Sequence, residues 1–303
     1  MLTKTVLAKT AELEVRDVRC RSGRSSWSPR EETTAHVVVF VRRGCFWRSV
    51  QGDESVLDST VVYFSRPGEE QRIAHPCDGG DACTAIELSD DLLATVWGGE
   101  PGLPDLPAAT TPRLDLEQRL LVSSVGRVDA SEVTERVVSL VSSVLAERQP
   151  ERVAAGRPAT AAARIRLIAA AREALAADPS LGLLELARQV AVSPHHLSRL
   201  FRAHTGETVT RYRSRLRVRL ALERLAEGER SLARLAAELD FADQAHLSRV
   251  VRSEAGSPPS HLRAAFLTAE GTRIYSPLGS PTFRRSPLNG PFRRDSAAGD
   301  ASG

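Results

Sequence analysis

One short segment of the chain occurs twice, and this repeat constrains the fold more than any other feature. The stretch His196–Arg202 reads HLSRLFR, and the stretch His246–Arg252, fifty residues later, reads HLSRVVR. Ser193 and Asp243 stand just before the two copies, and both residue types cap helix N-termini by accepting a backbone hydrogen bond. Pro194 follows the first cap, where its fixed φ suits the first turn of a helix. The repeat therefore predicts two capped helices built on one plan.

A shorter helix precedes each copy. Apolar residues recur at helical spacing over Leu183–Val190 and again over Leu232–Leu239. The connections that follow are only a few residues long, at positions 191–192 in the first unit and 240–242 in the second. A short helix, a tight turn and a capped helix form the helix-turn-helix plan. The sequence therefore predicts two helix-turn-helix units in an all-α C-terminal domain.

The capped helix of each unit has an apolar and a polar face. The predicted inner faces consist of Leu197, Leu200, Phe201, Leu247, Val250 and Val251. The major groove admits a helix, and there arginine reads guanine and glutamine reads adenine. The residues predicted to contact DNA lie on the outer faces: His195, Ser198, Arg199, Arg202, Gln244, Ala245, Ser248, Arg249 and Arg252.

Charge is distributed unevenly along the chain. Residues 164–263 contain 17 Arg, no Lys and 11 acidic residues, whereas the whole chain has a net charge of only +3. A basic block indicates binding to a polyanion. Five of these arginines alternate between positions 211 and 219, within a segment (208–225) whose apolar residues predict one long helix. Such a helix would hold the recognition helices about 34 Å apart, as successive major grooves require. The alternative is a helical bundle with a solvated arginine face, which the second copy of the pattern disfavours.

These features resemble the AraC family of transcriptional regulators. The resemblance covers residues 181–263 and includes Gly206, Phe241 and the final Gly256-x-x-Pro259 pattern. The family usually has Gly where this chain has Asp240, and Asp also adopts the left-handed conformation of such a turn. The resemblance implies a sequence-specific regulator, with activation as the expected role, that binds double-stranded DNA. It also makes RNA polymerase, a small-molecule effector and a second copy of the chain candidate partners.

The first part of the chain has the pattern of an antiparallel β-barrel or sandwich, because short β-branched runs alternate with Gly, Pro and Asp. Strands are predicted at 34–41, 45–50, 55–57, 60–64, 71–74 and 83–88. The stretch Pro67–His75 resembles the cupin-type sensor domain that often precedes an AraC DNA-binding unit. The predicted fold class is α+β in two domains, a cupin-like antiparallel β-barrel followed by an all-α double helix-turn-helix.

The predicted organisation has five parts. Residues 1–110 form the cupin-like sensor domain, 111–149 a helical segment, 150–160 a linker, 161–265 the AraC-type DNA-binding domain, and 266–303 a disordered tail. In the helical segment, leucines and valines between Leu114 and Val144 recur at three- and four-residue steps. This stripe slightly favours a dimer interface over packing against the barrel.

No enzyme active site, cofactor or metal is assigned. Metal-binding cupins need clustered histidines and a carboxylate, and the predicted barrel offers only His36 and His75, without a His-x-His motif. Four cysteines are too few for a disulfide scaffold. Cysteines that fill space in the core are the favoured interpretation. The alternative is a thiol redox or zinc site drawn from His75, Cys77 and Cys83, with Cys20 and His36 joining them in space.

Three functions stay open from the sequence. The first is a regulator with a sensory or pairing barrel. The second is a repair or metal enzyme with a DNA-targeting domain, although a four-Cys zinc site of the Ada type needs closely paired cysteines, and the gaps here are 24, 31 and 5 residues. The third is a constitutive DNA-binding or scaffold protein. No apolar run has the length of a membrane span and the N-terminus lacks a signal-peptide core, so a cytoplasmic protein without membrane contact is expected.

Overall fold

A computed structural model describes residues 2–21, 27–75, 80–97, 103–146 and 158–268. Cys77, most of the predicted linker and almost all of the predicted tail lie outside these ranges. Within the described ranges, no helix is long and apolar enough to cross a membrane.

The N-terminal part is built from two antiparallel sheets. The strands are β1 (Leu2–Lys9), β2 (Leu13–Cys20), β3 (Glu31–Glu32), β4 (His36–Arg43), β5 (Cys45–Val50), β6 (Asp53–Asp58), β7 (Val61–Ser65), β8 (Glu70–Ala74), β9 (Asp81–Leu88) and β10 (Ala108–Ala109). One sheet has the order β1-β2-β9-β4-β7-β10 and the other the order β3-β8-β5-β6. The predicted α+β fold class, with an antiparallel β part before an all-α part, is confirmed.

Two tight connections show why the sequence folds in this way. The residues between β5 and β6, Gln51 (φ 50°) and Gly52 (φ 92°), are both left-handed, the conformation that matches the twist of a two-residue hairpin. Gly44 (φ 86°) connects β4 to β5, and a Cβ there would lie 2.5 Å from the carbonyl oxygen of Gly80. Only glycine allows this approach.

Each strand predicted from the sequence overlaps an observed one, but the two-residue strands β3 and β10 and the longer strands β1 and β2 were not predicted. Their Lys, Arg, Asp and Glu residues mask the alternation, and most of β1 is exposed because it is an edge strand. Signals were nevertheless present, since Leu13 and Val15 are buried at alternate positions of β2. A short helix, α1 (Asp90–Trp97), also went unpredicted.

Alternation along the strands creates two apolar layers. Val38, Phe40 and Ile86 point to one side of the six-stranded sheet and pack against helices. Val39 and Cys83 point to the other side, between the sheets, where they meet residues such as Phe46, Leu57 and Ile73. The space between the sheets is therefore occupied by the chain's own side chains at these positions.

Two helices, α2 (Pro112–Ser124) and α3 (Ala130–Ala146), follow the barrel. The valine and leucine stripe of α3 is buried with the barrel residues in one core, through Val133, Val137, Leu140, Val141 and Val144. The stripe therefore packs against the barrel, which is the alternative to a dimer interface, and pairing of two chains through residues 111–149 stays a prediction.

The C-terminal part is all helix. It comprises α4 (Pro158–Ala177), α5 (Leu183–Gln189), α6 (Pro194–Thr205), α7 (Val209–Ala226), α8 (Leu232–Glu238), α9 (Gln244–Ala255) and α10 (Pro259–Thr268). Two cores form here, one from α4 to the first half of α7 and the other from the second half of α7 to α10. The long α7 contributes to both cores, as the sequence predicts.

Candidate nucleic-acid interface

The first helix-turn-helix unit consists of α5, a tight turn and α6. The hydroxyl of Ser193 accepts a hydrogen bond from the backbone N–H of His196 at 3.2 Å, which satisfies one of the open donors at the start of α6. Pro194 occupies the first turn, and Gly206 (φ 78°) ends α6 in the left-handed conformation. Such an ending is typical of glycine. Local signals thus set both ends of this helix.

The second unit repeats this construction with α8 and α9. The carboxylate of Asp243 caps α9 by accepting from the N–H of His246 at 2.6 Å. Asp240 is left-handed (φ 56°), as expected from its place in the turn. Arg217 of α7 donates to the carbonyl oxygen of Asp240 at 2.7 Å and lies over the ring of Phe241, 5.1 Å from its centroid. These contacts hold the turn without the usual glycine.

The inner faces of both recognition helices are as predicted, with one difference. Leu197, Phe201, Leu247 and Val251 are fully buried, whereas Val250 is only partly buried. Apolar residues at three- and four-residue steps thus orient each helix on its own core.

The structure places the predicted DNA-contacting residues on one outer face of each recognition helix. The exposed ones are His195, Arg199, Arg202, Gln244, Ala245, Arg249 and Arg252, and Ser198 and Ser248 are partly buried. Within the described ranges, no ion pair involves any of the four arginines of α6 and α9. Their guanidinium groups therefore remain available to an external anion or base edge.

Comparison with known proteins agrees with this geometry. Residues 186–265 match the family described as "Helix-turn-helix domain". The transcriptional activator RhaS of Escherichia fergusonii is 26% identical over 246 residues, which span 78% of this chain and 87% of that protein. The chain therefore contains a helix-turn-helix domain and is similar over most of its length to a transcriptional activator.

Two further comparisons differ in coverage. The arabinose operon regulatory protein of Escherichia coli K12 is 33% identical over 88 residues, only 29% of this chain and 30% of that protein. The crystal structure of ToxT from Vibrio cholerae O395 aligns with 87% of this chain at a TM-score of 0.35 and 11% identity, covering all of that chain. A likeness this low carries no argument about the regulator.

The arginines of α7 behave differently from those of the recognition helices. The sequence suggests a basic rod, but only Arg211 is exposed, with 66% of its side chain in solvent. Arg213 donates to the carbonyl oxygen of Ser180 at 2.6 Å, and Arg215 pairs with Glu207 at 2.6 Å. Arg219 is completely buried. Most of the positive charge of α7 is therefore buried or engaged in contacts within the protein.

Helix α4 and the start of α7 join the first helix-turn-helix unit to the barrel. Asp58, at the end of β6, is fully buried and pairs with Arg172 of α4 at 3.0 Å. The hydroxyl of Tyr212 on α7 donates to the same carboxylate, and Thr60 binds it at 2.6 Å. The ring of Tyr212 meets Phe201 of α6 edge to face, with centroids 5.1 Å apart. A continuous line of contacts therefore runs from the barrel to the first recognition helix.

The electrostatics of Asp58 match this arrangement. Burial raises the pKa of the carboxyl, but the charge of Arg172 and the hydrogen bonds from Arg172, Thr60 and Tyr212 outweigh burial and lower the pKa below its usual 3.8. Asp58 is therefore held ionised between the two parts of the chain.

The second unit is joined to the barrel by α2. The side-chain amide of Gln118 donates to the hydroxyl of Thr84 on β9 at 2.5 Å, and Leu116 lies in the core of the second helix-turn-helix unit. Arg119 is completely buried between Asp115, at 2.9 Å, and Glu223 of α7. The sequence analysis did not predict this contact, because no short-range sequence pattern indicates that α2 packs against both the barrel and the second helix-turn-helix unit.

The cysteine and histidine candidates are dispersed. Cys45 packs with Val56 and with Ala169 of α4, and His36 lies 3.4 Å from Asp90. Cys20, Cys45 and Cys83 are buried, and no disulfide joins them. The structure brings Cys20 and His75 together, but with Asp81 rather than with His36.

Proposed function

We propose that the regulator reads DNA with α6 and α9 in successive major grooves. One observation supports this proposal most strongly. The two capped helices that share the sequence repeat have exposed arginines, and none of these arginines forms an ion pair within the described residues. Arg199 and Arg249 follow the N-terminal turn of their helices, the part that reaches base edges in helix-turn-helix complexes. His195, Ser198, Gln244, Ala245 and Ser248 complete the reading surface. Arg202 and Arg252 lie further along their helices, where phosphate contact is expected.

In vitro selection of bound duplexes by the full chain tests this proposal. Wild type should select a site with two conserved half-sites about one helical turn apart. Arg199→Ala and Arg249→Ala should each relax the base preference in a different half-site and weaken binding by about 1–3 kcal/mol, or about 5- to 150-fold.

Arg113→Ala is the matched control, because it removes the same charge from an exposed site on α2, where 79% of the side chain is in solvent. It should leave the selected site unchanged. An identical selected sequence for wild type and both recognition-helix variants would refute the assignment of base readers.

The barrel is proposed to control DNA binding through its two separate attachments. The Asp58 contacts with Arg172 and Tyr212 reach the first unit, and α2 reaches the second. A small-molecule effector, or a second copy of the chain, that shifts α2 relative to β6 would therefore change how the recognition helices are placed. This change is proposed to determine productive contact with RNA polymerase, in a cytoplasmic protein that has no catalytic activity of its own.

A thermal-shift screen of small molecules, followed by DNA titration with each hit, tests this control. A true effector should raise the melting temperature and change DNA affinity. In Tyr212→Phe, which removes one contact with Asp58 and keeps the ring, it should still bind but change affinity less. A screen without hits, combined with tight DNA binding by the unliganded chain, would favour a constitutive DNA-binding protein.

A further inference from the structure

Three residues with metal-binding side chains converge at one end of the barrel. Cys20, the last residue of β2, is the direct cross-strand partner of Asp81, the first residue of β9. Side chains of such partners share one face of a sheet, with Cβ atoms about 5 Å apart. His75 follows β8, which belongs to the opposite sheet. The cluster therefore joins the two sheets.

The ligand atoms of these three residues are close and shielded from solvent. The thiol of Cys20, a ring nitrogen of His75 and a carboxylate oxygen of Asp81 all lie within 4.8 Å of one another. His75 Nε2 is 2.6 Å from Asp81 Oδ2. The residues are 8%, 9% and 7% exposed. Among the described residues, this is the one such group of three or more His, Cys, Asp and Glu side chains.

The residues around the cluster favour a bound cation. The ring of Phe46 lies against His75, with centroids 6.3 Å apart, and the thiol of Cys83 donates to Asp81 Oδ1 at 3.7 Å. Burial beside the Phe46 ring raises the free-energy cost of a charge that lacks a partner. A bound cation would compensate the carboxylate and a thiolate at once.

The donor set discriminates between metals. Thiolate and imidazole suit zinc, whereas magnesium and calcium prefer sites made only of oxygen ligands. Zn²⁺ accepts Cys sulfur at about 2.3 Å, His nitrogen at about 2.0 Å and carboxylate oxygen at about 2.1 Å, so the three donors must close around it by modest movements. One thiolate and one carboxylate neutralise its two positive charges.

We propose that Cys20, His75 and Asp81 bind one zinc ion that fastens the two sheets of the barrel. Binding replaces the direct contact between His75 and Asp81 with two metal–ligand bonds and releases the thiol proton of Cys20 to solvent. Water takes the remaining position of the tetrahedron. The site differs from the zinc alternative weighed from the sequence, because an aspartate contributes and His36 is remote.

Metal analysis of the full chain tests this site. The protein is purified without a histidine tag, dialysed against a weak chelator, and measured for zinc by mass spectrometry. Wild type should retain about one zinc ion per chain, as a three-ligand protein site does. Cys20→Ser and His75→Gln should lose it, and Cys45→Ser, at a buried cysteine outside the cluster that packs against Val56 and Ala169, should keep it. Circular dichroism and DNA binding check that each variant is folded.

A second measurement does not depend on variant stability. Cobalt added to the metal-free wild-type chain should give a thiolate-to-cobalt charge-transfer band, and zinc should abolish it. A strong chelator should lower the melting temperature of wild type, and excess zinc should restore it. Absence of retained zinc together with absence of the cobalt band would overturn the proposal, as would full zinc retention by a folded Cys20→Ser variant.

Discussion

The regulator uses arginine in two opposite ways. On α6 and α9, Arg199, Arg202, Arg249 and Arg252 lie in solvent, and no ion pair of the described chain engages them. At the junction between the barrel and the helices, Arg119 and Arg219 are completely buried. The first set costs the folded protein little and is free to meet DNA. The second set costs desolvation, which only partners in the right place can offset. Net charge alone cannot distinguish the two.

The largest effect on stability is expected at Arg119. Arg119→Ala leaves Asp115 and Glu223 buried without their shared cation, so the free energy of unfolding should fall by about 3–5 kcal/mol. Urea denaturation measures this loss. Arg113→Ala, on the exposed face of the same helix, should change the free energy by less than about 0.5 kcal/mol. Equal effects of the two substitutions would remove the distinction between buried and exposed arginines.

The junction should also show a pH dependence that the recognition helices lack. Because the pKa of Asp58 is lowered from 3.8, its stabilising contribution is fully present above that pH and disappears as the pH falls through the lowered value. Asp58→Asn should lose about 1–3 kcal/mol at neutral pH. Urea titrations across the acid range should show the two proteins converging below the usual pKa. A constant difference at every pH would contradict an ionised Asp58.

The exposed set should affect DNA binding and not folding. Arg202→Ala should reduce the slope of log affinity against log salt by about 0.9, the value for one phosphate contact, with little change in base preference. Fluorescence anisotropy at several salt concentrations measures the slope, and Arg113→Ala is the control for a lost surface charge. An unchanged slope would exclude phosphate contact by Arg202.

The smallest effect is expected at a buried arginine with poor partners. The Nε and Nη1 atoms of Arg219 have no hydrogen-bond partner in the described structure, and burial, followed by the charge of Arg215, lowers its pKa to about 10. Its Nη2 donates to the carbonyl oxygen of Thr110, which Arg215 also contacts. Arg219→Met should therefore leave the free energy of unfolding unchanged or raise it slightly, because an apolar side chain avoids the desolvation cost.

Chemical denaturation of the Arg219→Met and Arg119→Ala variants in parallel compares the contributions of two buried arginines to the free energy of unfolding. A loss as large as that of Arg119→Ala would show that burial alone, and not pairing, sets the contribution of an arginine at this junction.

The sequence by itself determined the helix-turn-helix units, their caps and their outer faces. These features depend on residues within a few positions of one another, as between Ser193 and His196 or Asp243 and His246. Most strands of the barrel were predictable for the same reason, and β1 was not, because an exposed edge strand carries little apolar alternation.

Only the tertiary structure decided which arginines of α7 are buried, what α2 and α3 bury, and which residues meet at the end of the barrel. Arg119 finds Glu223 from 104 positions away, and Cys20 meets Asp81 through strand register. No pattern within a short stretch of sequence predicts contacts between residues so far apart in the chain. They follow from how the whole chain packs, because burial, unlike helix capping, depends on residues far apart in the sequence.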